Sequence, residues 1–303
     1  MLTCLLNNQQ ICSLDLKDKY DEYIMEKLEY VKEASQNRQL VCEECGDIVI
    51  LRAGNDKVPH FAHKNKNESC YWEKYGKKET EEHKKGKSII YQYLKEKYID
   101  AEISVNYRHS NIRRSDVFAK FKSGTQLAVE FLRIDMKITD WKEKHDFYKS
   151  NNINNIWLLS TKEYNKQDIK NVSIDFFEKF LAYKSDDDII KFLNTKQQSI
   201  ILIKKMEYKG RAYYKELFTK EYKIQDILID MHGTINCDFK IQYDKAYQNF
   251  INNVLKREKT KKKAKSDKKF KVKTFKISEE QDKENREYVK KLIEQEKAKR
   301  NKK

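Results

Sequence analysis

Cys42 and Cys45 stand two residues apart, and His60, His63 and Cys70 follow them in the sequence. A segment of about 30 residues buries too little apolar surface to fold alone, and a zinc ion held by four sulfur and nitrogen ligands substitutes for the missing core. Residues 39–76 are therefore expected to form a zinc-stapled finger. Cys42 and Cys45 make the knuckle, and the second ligand pair comes from His60, His63 and Cys70. If residues 60–63 are extended, their two imidazoles point to opposite faces. That favours His63 with Cys70 and leaves His60 as the alternate. Cys4, Cys12 and Cys237 have no such neighbours and read as small buried hydrophobes.

The rest of the composition narrows the class. Hydrophobic residues make up 39% and charged residues 37%, so a heavily solvated surface is expected. No run reaches the roughly 20 apolar residues of a membrane span. The first 16 residues lack both a basic leader and a sustained apolar stretch, so a cytoplasmic protein with no membrane partner is expected. Six cysteines in such a chain point to metal rather than disulfides. One proline, Pro59, and seven glycines leave helices and short hairpins to do most of the folding. The net charge of +16 is uneven: residues 256–273 hold eleven Lys and Arg against two acidic residues. This basic tail, Lys261, Lys262 and Lys263 included, suits DNA phosphates, which bind cationic side chains through counterion release.

Periodicity sets out the elements. Residues 1–14 read as a hairpin turning at 7–10, and residues 15–36 as a helix. Residues 49–51 and 58–61 read as short strands. A helix is expected over 79–98, strands over 102–107, 115–121 and 126–132, a helix over 139–149 and a buried strand over 156–159. Residues 172–183, 186–193 and 243–255 look helical, 199–204 extended, and 278–299 a solvated helix. The order helix, three strands, helix, strand describes an α/β core. The expected divisions are 1–38, hairpin and helix; 39–76, zinc finger; 77–162, α/β core; 163–255, mostly helical; and 256–303, basic tail.

Asp116 and Glu130 carry the second candidate chemistry. Glu130 lies within Leu127-Ala128-Val129-Glu130-Phe131-Leu132, where an unpaired carboxylate costs several kcal/mol and calls for a cation or metal. Two carboxylates on neighbouring strands can hold one Mg²⁺ or Mn²⁺. They share a face only if residues 116 and 130 pair opposite each other, which requires an odd-numbered loop around 122–125 or a bulge. Asp116 has an alternative partner in Arg113 or Arg114. From the helix, Glu82 is expected to support the metal and Lys87 to reach the scissile phosphate.

The ordered series resembles the competence protein CoiA family. It runs from the Cys-x-x-Cys knuckle through His60-Phe61-Ala62-His63, Cys70 with Tyr71-Trp72, and Glu79-Thr80-Glu81-Glu82-His83 with Lys87. It continues through Arg114-Ser115-Asp116-Val117, Ala128-Val129-Glu130-Phe131, and Tyr148 before Ile156-Trp157-Leu158-Leu159. The resemblance implies a restriction-endonuclease-like core of the PD-(D/E)xK kind behind a zinc finger, acting on DNA with recombination or competence proteins. It implies Asp116 and Glu130 as the magnesium ligands; with them Glu82 and Lys87 are the expected catalytic residues, and His83, Arg114 and Arg133 are expected DNA contacts. Such cores carry Lys or Gln two residues after the Glu, and here that position is Leu132. Either Lys87 supplies the donor, or Arg133 or Lys137 swings in, or the protein binds DNA without cutting it.

Overall fold

The computed structural model describes residues 1–18, 20–65, 67–70, 72, 79–110, 113–132, 138–161, 187–210 and 212–266, without the side chains of 138 and 261–266. The chain divides into two compact units, residues 1–252 and 253–303. Of the second, only the end of the last helix is described.

The N-terminal hairpin pairs β1 (Thr3–Leu6) with β2 (Gln9–Cys12) around Asn7 and Asn8. Both asparagines have positive φ, as a two-residue hairpin turn with the right twist requires. The helix expected over 15–36 starts later, as α1 (Met25–Gln36). Asp18 accepts from the N–H groups of Tyr20 and Glu22, and Asp21 has a φ of 66°, so a local turn outcompetes the first helical turns. β3 (Leu40–Val41) adds to β1. β4 (Val49–Arg52) and β5 (His60–His63) form a separate pair. α1 and these strands close one core around Leu28, Val31, Leu40, Val49 and Phe61.

Among the described residues the main sheet has seven strands. After α2 (Glu81–Lys97) come β6 (Glu102–Arg108), β7 (Arg114–Lys120) and β8 (Gln126–Leu132), then α3 (Ile138–Ser150) and β9 (Asn154–Ser160). β10 (Ile189–Asn194), β11 (Ser199–Lys209) and β12 (Tyr213–Lys223) complete the order β12-β11-β10-β9-β8-β7-β6. β9 runs parallel to β8 and β10, and the other neighbours are antiparallel. α2 covers one face through Ile90, Tyr93 and Leu94, while α3 covers the other through Tyr148. β13 (Leu228–Ile229) and β14 (Ile235–Asn236) form a small pair, and α4 (Phe239–Ser266) follows.

The segment 163–255 is therefore not mostly helical where it is described. Residues 186–193, expected as a helix, contain β10, whose side chains from Ile190 to Asn194 are all buried. A short apolar run has no decisive period, and pairing between β9 and β11 settles it as a strand. The helices expected over 172–183 and 278–299 lie outside the described residues.

Candidate functional site

The finger brings four ligand atoms together. Cys42, Cys45, His63 and Cys70 place Sγ, Sγ, an imidazole nitrogen and Sγ within 4.8 Å of one another. Cys42 Sγ lies 3.8 Å from Cys70 Sγ, and Cys45 Sγ 3.3 Å from His63 Nε2. Tetrahedral zinc with Zn–S bonds of about 2.3 Å sets neighbouring sulfurs about 3.8 Å apart, whereas a disulfide needs about 2.05 Å. The donor set thus has the spacing of a zinc site. Burial pushes the Cys42 thiol up to about 12, so its thiolate needs a cation beside it. His60 turns away, with Nδ1 2.9 Å from the Val58 carbonyl oxygen. Alternation along β5 separates the two histidines.

The carboxylate pair depends on one loop. Phe121 N–H donates to the Thr125 carbonyl at 2.9 Å, leaving 122–124 as a three-residue turn with Gly124 at a φ of 84°. Only glycine takes that conformation without strain. The odd loop sets Val117 opposite Val129, where the ladder between β7 and β8 ends one step short of Asp116 and Glu130. Beyond Val117 the two strands open, and the Phe131 N–H, released from the ladder, donates to Asp116 Oδ2 at 3.0 Å.

Helix α2 reaches this opening because of Gly86. A Cβ there would lie 2.2 Å from the Phe131 ring, so only glycine lets the helix backbone settle on β8. His83 Nε2 then lies 3.1 Å from Asp116 Oδ2, and Lys87 Nζ lies 3.8 Å from Asp116 Oδ1. Lys87 is only 2% exposed. It is ion-paired with Glu79 and donates to Asn106 Oδ1 at 2.6 Å. Burial alone would raise Asp116, but the charges of His83, Lys87 and Lys144 outweigh it and hold this carboxyl well below its ordinary range. Lys87 is held up as a cation by Glu79 and Asp116 against the opposing effect of burial.

Glu130 is gripped from α3. Lys144 Nζ donates to Oε2 at 2.6 Å, and the Tyr148 hydroxyl donates to Oε1. Lys144 and Tyr148 are four residues apart and so share a helix face. Burial, with the charge of Asp116 adding to it, raises Glu130 to about 7 despite Lys144. Two buried carboxylates that resist simultaneous ionisation make a site that a divalent cation would relieve.

The nuclease-like domain of competence protein CoiA matches residues 79–230, and the CoiA N-terminal domain matches residues 21–73. The chain belongs to the CoiA family. The competence protein CoiA of Bacillus subtilis (strain 168) is 29% identical over 124 residues, which are 41% of this chain and 32% of that protein. The alignment thus spans about a third of the relative. No solved structure matches this CoiA-family chain. Among its described residues no helix is long and apolar enough to cross a membrane.

Other expected site residues of this CoiA-family chain are placed differently. Glu82 does not join the carboxylates: it accepts from Ser160 Oγ at 3.2 Å and Thr195 Oγ1 at 2.8 Å, tying α2 to the ends of β9 and β10. Glu79, one residue before the Thr80 N-cap, is the acidic group beside Lys87. Lys87 is an internal counter-charge and not an open phosphate contact. Arg114, an expected DNA contact, pairs here with Glu44 of the knuckle, and its guanidinium lies 5.3 Å from the Trp72 ring centroid. Arg113 pairs with Glu143, so neither arginine serves Asp116. His83, another expected DNA contact, meets Asp116 through Nε2 at 3.1 Å. Arg133 and Lys137, like the side chains of Lys261, Lys262 and Lys263, lie outside the description.

Lys144, Glu79 and Asn106 were not singled out from the sequence. The four-residue spacing from Lys144 to Tyr148 is the signal that was available for the first.

Proposed function

We propose that this chain is a metal-dependent DNA nuclease with a restriction-endonuclease-like core, acting in DNA processing or recombination during competence. The observation that supports the reading is that Asp116 and Glu130 stand on adjoining strands just where their ladder ends at Val117 and Val129, with the charge of Asp116 helping to raise Glu130. Asp116 and Glu130 would hold Mg²⁺ or Mn²⁺, as hard oxygen ligands suit these ions. A bound Mg²⁺ supplies Lewis acidity toward a phosphodiester. Lys144, 17% exposed at Glu130, replaces the donor missing at Leu132 and faces the phosphate charge. Lys87 keeps Asp116 ionised, and Glu79 holds Lys87 in place. Cys42, Cys45, His63 and Cys70 bind a structural zinc that fixes the finger of 39–76, and the basic tail of 256–303 adds phosphate contacts.

Leu132 favours a second reading. It is 3% exposed and packed with Phe118, Ala128 and Tyr148, so no polar group acts from that position. A DNA-binding accessory protein with impaired cleavage would keep the finger and tail and lose turnover. Cleavage of single- and double-stranded DNA with Mg²⁺ or Mn²⁺, compared with Asp116→Ala, separates the two. Metal-dependent cutting that Asp116→Ala abolishes supports the nuclease. Equal background activity in both proteins refutes it.

A further inference from the structure

We infer that His109, Ser115 and Tyr148 form a positioning chain that fixes the Glu130 carboxylate and so sets the affinity of the Asp116 and Glu130 pair for a divalent cation. This rests on the proposed metal role of Asp116 and Glu130.

Tyr148 reaches Glu130 Oε1, Ser115 Oγ lies 3.0 Å from the Tyr148 hydroxyl, and His109 Nε2 lies 2.6 Å from Ser115 Oγ. The Tyr148 hydroxyl donates its one proton to Glu130. Its oxygen must then accept from Ser115, and Ser115, its own proton spent, accepts from an Nε2–H of His109. Each hydroxyl has a single proton, so the donation from Tyr148 to Glu130 fixes the direction of the whole chain and the tautomer of His109.

The terminus of the chain is rigid. The His109 ring is enclosed by Phe118 at 4.9 Å, Phe147 at 5.6 Å and Tyr148 at 5.8 Å between centroids. Ser115 immediately precedes Asp116 on β7, so one strand carries both a metal-binding carboxylate and the brace for the other. Tyr148 and Lys144 each take one Glu130 oxygen, and each oxygen keeps a second lone pair for a metal. Ordered hydrogen-bonded partners behind a ligand typically change metal affinity 10- to 100-fold when removed.

The test is Mn²⁺ binding to the zinc-loaded full chain, followed by calorimetry or by the electron paramagnetic resonance of free Mn²⁺. Tyr148→Phe removes only the hydroxyl, and His109→Phe keeps an aromatic ring inside the cage. Tyr148→Phe should weaken Mn²⁺ about 10- to 100-fold and His109→Phe to a lesser degree. The double variant should be no weaker than Tyr148→Phe, because the chain is already cut. Nitrogen chemical shifts should show the Nε2–H tautomer of His109 in the wild type.

A lower Tm with unchanged Mn²⁺ affinity would make the chain purely structural and overturn the inference. Additive losses in the double variant, or an Nδ1–H tautomer, would overturn it as well. If the wild type binds Mn²⁺ no better than Asp116→Ala, the metal-site reading itself fails and the inference fails with it. Normal Mn²⁺ binding in both chain variants, with loss in Asp116→Ala, overturns only the inference.

Discussion

Replacing Gly86 by alanine tests how the site is assembled. A Cβ at this position would lie 2.2 Å from Cδ1 and Cε1 of Phe131 and 2.8 Å from Cγ. Carbon atoms ordinarily settle about 3.5–4.0 Å apart, so the overlap exceeds about 1 Å. Phe131 is 1% exposed and has no open side to turn toward. Relief must come from α2 lifting off β8, and α2 carries His83 and Lys87, which lie 3.1 Å and 3.8 Å from Asp116.

Alanine in a helix gains about 1 kcal/mol over glycine, whereas overpacking costs about 1–3 kcal/mol. The expected net loss is about 1 kcal/mol, or about 2–4 °C in Tm for a body of this size. Urea denaturation reads the stability, and Mn²⁺ titration of the zinc-loaded protein reads the site, where a loss of tenfold or more is expected. Gly86→Ala combined with Phe131→Leu should recover most of both. If Gly86→Ala alone stabilises the protein by about 1 kcal/mol, as in a solvent-facing helix, and leaves Mn²⁺ binding intact, the close contact of helix and sheet is refuted.

Elemental analysis should find one zinc per chain, lost in His63→Ala and kept in His60→Ala; the reverse pattern would reassign the ligands. Glu130 is raised from 4.5 to about 7 without metal, so the folded state binds a proton that the unfolded state has released. Stability should therefore fall as pH climbs through that window, by up to about 3 kcal/mol. Urea melts at pH 5 and pH 8 should show this fall relative to Glu130→Gln, and parallel behaviour of the two proteins would contradict it. Asp116 acts in the opposite sense, since its contribution is lost only as pH drops below the usual carboxylate range. Removing residues 256–303 should flatten the decline of DNA affinity with salt, because each phosphate contact contributes a slope of about 0.9. An unchanged slope would remove the tail from the interface.

The linear pattern of the chain already contained the Cys42, Cys45, His63 and Cys70 cluster, because a Cys-x-x-Cys knuckle and a strand that separates His60 from His63 are properties of spacing and alternation. It also contained α2 and the strands around Asp116 and Glu130, since a period of two against one of 3.6 is legible over seven or more residues. Residues 186–193 misled because a short apolar run has no such period, and only the flanking strands of the sheet decided its form.

Tertiary structure alone decided which charged groups meet. Glu79 and Glu82 are equally plausible along the sequence, but the close approach allowed by Gly86 delivers Glu79 to Lys87, while Ser160 and Thr195 claim Glu82. Lys144 shares a helix face with Tyr148, but that it meets Glu130 depends on how α3 packs, and Arg114, two residues before Asp116, pairs with the knuckle's Glu44. Ligand spacing and strand alternation are local and can be read along the chain. The partner of a buried charge depends on which surfaces come within a few ångströms, and that distance exists only once helix, sheet and finger have packed.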